Sequence, residues 1–207
     1  MIHRKLWEGS ADLAKECLDH PFVRGLADGT LPEEPFRRYV AQDGYFLNVF
    51  LQAYGLAGAR AGSADAAAVF VDLQKGVLEE LNLHRRFAAK LGIDLENVHP
   101  FRATTAYCDF LLRCAYHEDP GVVVAAMTPC MRLYRHLGTE LARDGIPGHG
   151  YTDWIETYQG EGFGRLVERI ESLLDSLAAD TREVREAYRY ALRCEIDFFT
   201  AALEGGP

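Results

Sequence analysis

The sequence is short of most features that mark a special environment. It has no run of about 18 uninterrupted apolar residues, so no membrane-spanning helix is predicted. Its start, MIHRKLWEGS, lacks the apolar core of a signal peptide, and a cytoplasmic location is expected. There is no CxxC pair. The five cysteines, Cys17, Cys108, Cys114, Cys130 and Cys194, are odd in number and widely spaced, which argues against a disulfide framework and a structural zinc site. Basic residues are in deficit, 22 Lys and Arg against 31 Asp and Glu, giving a net charge of −9. They form no stripe of the kind that neutralises phosphates, so nucleic acid is not an expected partner. Period-2 alternation, internal repeats and low-complexity tracts are also missing.

What the 207 residues do contain is 48% hydrophobic side chains, enough for a full core in one domain over residues 1–207. Apolar residues recur at spacings of three and four nearly throughout, which predicts an all-α, single-domain helical bundle. Helices are expected from about Ile2 to Cys17, Pro21 to Ala27, LPEEPF to Arg60, a Ser63 or Asp65 cap to Leu91, Thr104 to Tyr116 and Gly121 to Arg143. Three more are expected from Tyr151 to Gln159, Gly162 to Leu177 and Thr181 to Leu203. Acids and proline open the long third helix, Ser63 and Asp65 can cap the next, and Gly92 ends it. DGIPGHG reads as a loop.

Three inner stripes carry a polar intruder. Asp43 lies among Phe36, Tyr39, Val40, Leu47, Phe50 and Tyr54. Cys130 lies among Val123, Met127, Leu133, Tyr134 and Leu137. Glu195 lies among Tyr188, Leu192, Phe198, Phe199 and Ala202. One inward carboxylate is usually satisfied by a hydrogen bond in the core. Two acids and a thiol on three helices point instead to a shared polar pocket, because burying a charged carboxylate costs several kcal/mol unless it is paired. Pro129 precedes Cys130. Inside a helix it removes one backbone hydrogen bond and distorts the turn, which re-aims the thiol after it.

With these residues in view, the chain resembles the TenA family, the class II thiaminases and aminopyrimidine hydrolases. The resemblance rests on the order and spacing of YVAQDGYFL, ELNLH, TAY, PCMRLY, WIETYQGEGF and CEIDFF over nearly the whole length. It implies an all-helical fold like that of haem oxygenase without haem, a homotetramer, no cofactor and no metal. It also implies a small-molecule pyrimidine substrate hydrolysed at the methylene to give hydroxymethylpyrimidine for thiamin salvage. Carried over by position, Cys130 matches the nucleophile, Asp43 the acid that binds the aminopyrimidine ring, and Glu195 the general acid. Tyr134 and Tyr158 match tyrosines near thiol and substrate, with Tyr107 in the same pocket. The pattern departs at Phe46 and Asp109, where members often carry tyrosine, and at Phe198–Phe199, where they often end in Phe-Trp; these changes bear on substrate identity.

Two other readings come from different classes. Glu80 and His84, four apart, would suit a di-metal oxidase of the same fold, but such a site needs several more ligands and the last helix has no histidine. As an ordinary pair they would sit on the helix surface or behind the site. A cofactor-free oxidase resembling the pyrroloquinoline quinone synthase would want more basic and histidine residues in these stripes. The other reading is a pyrimidine-binding protein without turnover, which an intact Cys130 and Glu195 argue against.

Overall fold

A computed structural model describes residues 1–146 and 148–206. Pro147 of the DGIPGHG loop and Pro207 lie outside the described residues. Ten helices follow one another without a strand among the described residues: α1 Ile2–Glu8, α2 Ala11–Asp19, α3 Pro21–Asp28, α4 Glu33–Ala59 and α5 Ala64–Leu91. Then come α6 Arg102–His117, α7 Pro120–Leu141, α8 Thr152–Gln159, α9 Glu161–Leu177 and α10 Arg182–Glu204.

Helix ends follow local chemistry. Glu33 and Glu34 occupy the first turn of α4, where the helix dipole favours negative charge. The Ser63 hydroxyl accepts from the Ala66 amide at 3.1 Å, and Thr181 caps α10 in the same way through Val184. Gly92 ends α5 in the left-handed region at φ 64°, which costs glycine nothing.

The first expected helix is a correction. The pattern from Ile2 to Cys17 is two helices, broken at Gly9 and Ser10. Glycine is a poor helix former and serine prefers helix starts. The break is held from outside, since Arg189 of α10 donates to the Gly9 carbonyl at 2.6 Å. Periodicity misses it because the apolar face continues in phase across the break.

Helix α4 packs along α5 and α6, α7 packs along α8, α9 and α10, and α10 also lies against α4 and α6. The buried apolar side chains form one contiguous cluster. At its centre, Phe22 stacks on Phe199 at 5.5 Å, and Tyr134 meets Trp154 and Phe199. Helix α7 runs through Pro129 without ending.

Close approach of α7 to the end of α8 depends on Gly138. A Cβ there would stand 2.6 Å from the Gln159 nitrogen and 2.7 Å from the Tyr158 carbonyl carbon. Backbone cannot yield as a side-chain tip can. Gly138→Ala is therefore expected to destabilise the protein by about 1–3 kcal/mol, the usual cost of overpacking, and to displace Tyr158. Urea denaturation checks it; an unchanged midpoint would show that the two helices separate without cost.

Candidate active site

Cys130, Asp43 and Glu195 come together inside the bundle, from α7, α4 and α10. Asp43 and Glu195 are buried, with 4% and 2% of their surface exposed. Cys130 alone among the five free cysteines is partly accessible. It borders a cavity of about 20 Å3, room for about one water, that is also lined by Asp43, Glu80 and Tyr134. Gly76, Glu80, Phe163 and Leu166 line this cavity on one side and a surface groove on the other.

Glu195 accepts a hydrogen bond from the Tyr107 hydroxyl at 2.9 Å, and the Cys130 thiol is its neighbour. Burial pushes the Glu195 carboxyl up to about 8, against the pull of Tyr107 and Cys130. Burial likewise holds the Cys130 thiol well above its ordinary value, reinforced by the charges of Glu195, Glu80 and Asp43. The resting pair is thus a neutral thiol beside a carboxyl that titrates near neutrality.

A second network surrounds Asp43. The Tyr39 hydroxyl donates to Asp43 Oδ2 at 3.2 Å and accepts from Trp154 Nε1 at 3.1 Å. Tyr134 lies beside Tyr39. His84 Nε2 stands 2.6 Å from the same Oδ2, and His84 Nδ1 lies 3.1 Å from the Glu80 carbonyl. The Tyr158 hydroxyl donates to Glu80 Oε1 at 2.5 Å. Burial raises Glu80 to about 7.

Each expected residue can now be placed. Cys130, Asp43, Glu195, Tyr107, Tyr134 and Tyr158 converge. Phe46 is buried, 4.8 Å from the Tyr107 ring and 6.1 Å from Phe198 between ring centres, so it forms an apolar wall beside the Glu195 network. Asp109 does not converge. It is exposed on α6, because residues two apart on a helix face opposite sides and Tyr107 takes the inward one. The Tyr158 hydroxyl is engaged by Glu80 rather than by the thiol.

Of the two places expected for Glu80 and His84, the helix surface or behind the site, His84 takes the second: it is fully buried against Asp43. A signal was present: Phe70, Leu73, Val77, Leu81, His84 and Phe87 form one inward stripe of α5, with the histidine as its polar member. Glu80 and His84 meet through the glutamate's backbone carbonyl, and among the described residues no group of three or more His, Cys, Asp or Glu side chains is arranged to hold a metal.

The fold is a closed all-helical bundle with a thiol, three carboxylates and a tyrosine-rich wall at its centre. The chain belongs to the TENA/THI-4/PQQC family, whose family model matches residues 7–205. It is 36% identical to the thiamine biosynthesis multifunctional protein ThiED of Corynebacterium efficiens, over 98% of this chain and 28% of that protein. It is 35% identical to the aminopyrimidine aminohydrolase of Bacillus subtilis, over 86% of this chain and 75% of that one. The chain thus spans only about a quarter to a third of the multifunctional relatives it matches. Among solved structures, a TenA homologue from P. horikoshii superposes with a TM-score of 0.90 at 27% identity, covering all of both chains. A Shewanella denitrificans domain with a heme oxygenase-like fold superposes at 0.73 and 12% identity, over 98% of this chain and 90% of that one, which establishes the fold alone.

Proposed function

We propose that the protein is a thiaminase II-type aminopyrimidine hydrolase that releases hydroxymethylpyrimidine by cysteine nucleophilic catalysis. The observation that carries this is the convergence of Cys130 and Asp43 on one enclosed cavity, with the buried Glu195 carboxyl next to the thiol. Names of relatives that hydrolyse aminopyrimidines support the substrate class.

The chemistry follows from the arrangement. Asp43 accepts a hydrogen bond from a protonated aminopyrimidine, which makes the ring electrophilic. Cys130 needs a base, since burial holds its thiol protonated. The Glu195 carboxylate takes that proton as sulfur adds to the ring carbon. The same proton then goes to the leaving amine, whose bond to the methylene breaks as the ring electrons push outward. Water adds to the exposed methylene with Glu195 as base, the C–S bond breaks, and the thiol is regenerated. Phe46 supplies an apolar face beside the ring. A pyrimidine needs more room than the cavity offers, so entry requires Phe163 and Leu166 to swing away from Gly76 and Glu80.

Because the reactive form has one proton on the Cys130–Glu195 pair, kcat/KM is expected to rise with pH through about 8, where Glu195 loses its resting proton. A profile that falls through that pH would assign Glu195 as an acid only. The direct test of the activity is product formation from aminomethyl-aminopyrimidine and from thiamin, side by side. Turnover of neither would end this reading. The same reading carries a cytoplasmic homotetramer, for which sedimentation should return four times 23.2 kDa.

A further inference from the structure

His84 is 0% exposed, and both of its ring nitrogens face oxygen. Nδ1 faces the Glu80 carbonyl, which can only accept, so Nδ1 carries a hydrogen. That fixes the tautomer and leaves Nε2 as the bare nitrogen of a neutral ring. Yet Nε2 lies 2.6 Å from Asp43 Oδ2, in an approach bent away from a straight N–H···O line. Two lone pairs do not meet at that distance, so the pair holds a second proton, off the straight line between the two atoms. Oδ2 already receives the Tyr39 hydroxyl, whose oxygen in turn accepts from Trp154. A donor already on Oδ2 favours the ionised carboxylate over the acid, and the charge of Asp43 favours the protonated ring, so the proton is assigned to the imidazole.

We propose that His84 is a positioning residue for the hydrolysis: as a buried imidazolium it holds Asp43 ionised, so that the other Asp43 oxygen accepts from the protonated aminopyrimidine. This rests on the hydrolase reading above. It explains how three carboxylates share one buried pocket. Asp43 and Tyr39 face His84 from α4 and Glu80 from its own helix, while Cys130 and Tyr134 from α7, Tyr158 from α8 and Glu195 from α10 lie within electrostatic reach of Asp43. Burial moves Glu80 to about 7 and Glu195 to about 8, which favours their neutral forms in acid and near-neutral solution. Burial alone would lower His84, but the charge and hydrogen bond of Asp43 raise it overall. One negative charge is then fixed on the substrate side of the pocket, with its counter-charge behind it.

Two measurements test this. Nitrogen-15 NMR of histidine-labelled protein, with the His84 signals assigned by loss in His84→Gln, should show both ring nitrogens protonated at pH 7. A neutral ring with one bare nitrogen at that pH overturns the proposal. In kinetics, His84→Gln keeps a donor near Asp43 but cannot carry the charge. Its kcat/KM at pH 7 should fall about 10- to 100-fold, the worth of a charged hydrogen bond. The loss should also grow toward acid pH, because glutamine supplies no positive charge behind the pocket. A structural role would lower the whole profile in parallel, and that outcome also overturns the proposal. Should His84→Gln not fold, by circular dichroism, His84→Asn serves for both. Lack of turnover by the wild type would sink the hydrolase reading instead, while the nitrogen shifts still decide the charge of the pair.

Discussion

Cys130→Ser is expected to lower kcat for aminomethyl-aminopyrimidine by about 1,000-fold or more, with the affinity for hydroxymethylpyrimidine unchanged within about twofold. Loss of a nucleophile from a concerted catalytic unit removes most of the catalysis at once. Serine fits the space of the thiol, and the pocket's other bonds, Tyr107 to Glu195 and Tyr39 to Asp43, do not pass through sulfur. Binding should therefore survive while chemistry fails. Steady-state kinetics and calorimetric titration with the product separate the two. If Cys130→Ser retains a tenth of the activity, water attacks the methylene directly and the covalent step is wrong. If both activity and binding vanish, the thiol is part of the pocket's shape.

Glu195→Gln should have an effect of similar size, about 100- to 10,000-fold in kcat, the range for a positioned proton donor and acceptor. Glutamine still accepts from the Tyr107 hydroxyl but can neither take the Cys130 proton nor return it. Two further signs distinguish this from a packing defect. The rise in kcat/KM near pH 8 should disappear, since Glu195 is the group that titrates there. The cost should also be greater with aminomethyl-aminopyrimidine than with thiamin. An amine must be protonated to leave, whereas the thiazolium nitrogen of thiamin leaves as neutral thiazole. Equal losses on both substrates would confine Glu195 to deprotonating the thiol. A Glu195→Gln enzyme that keeps the step near pH 8 would move the titration to another group, with Glu80 the first to examine.

The pattern of residues made much of this legible. Spacings of three and four give the helices from α3 onward to within two residues or so at most ends, because each buries one apolar stripe in the shared core. The same stripes exposed Asp43, Cys130 and Glu195, since a polar group amid apolar neighbours is costly to bury and stands out. The break at Gly9–Ser10 was hidden for the opposite reason: the stripe stays in phase across it, and the Arg189 contact that holds it comes from 180 residues away.

Asp109 and His84 mark the limit from two sides. Asp109 was placed in the pocket by position alone, although its helix already turned Tyr107 inward, and one face cannot hold both. His84 lies in the stripe of α5 and stands behind the site, one of the two places expected for it, but spacing along α5 cannot name the neighbour that matters, Asp43 on another helix.

By itself, then, the sequence determined which face of each helix is buried, and thus which polar side chains enter the core. These are local properties, set by a 3.6-residue period and the cost of burying charge. Tertiary structure alone decided which of those groups meet. The 2.6 Å contact of His84 with Asp43, the bond of Tyr107 to Glu195 and the pairing of Tyr158 with Glu80 each join different helices. Their protonation follows from these meetings, because a buried group's charge is set by the partners within hydrogen-bonding reach. Spacing along a chain carries no record of that distance.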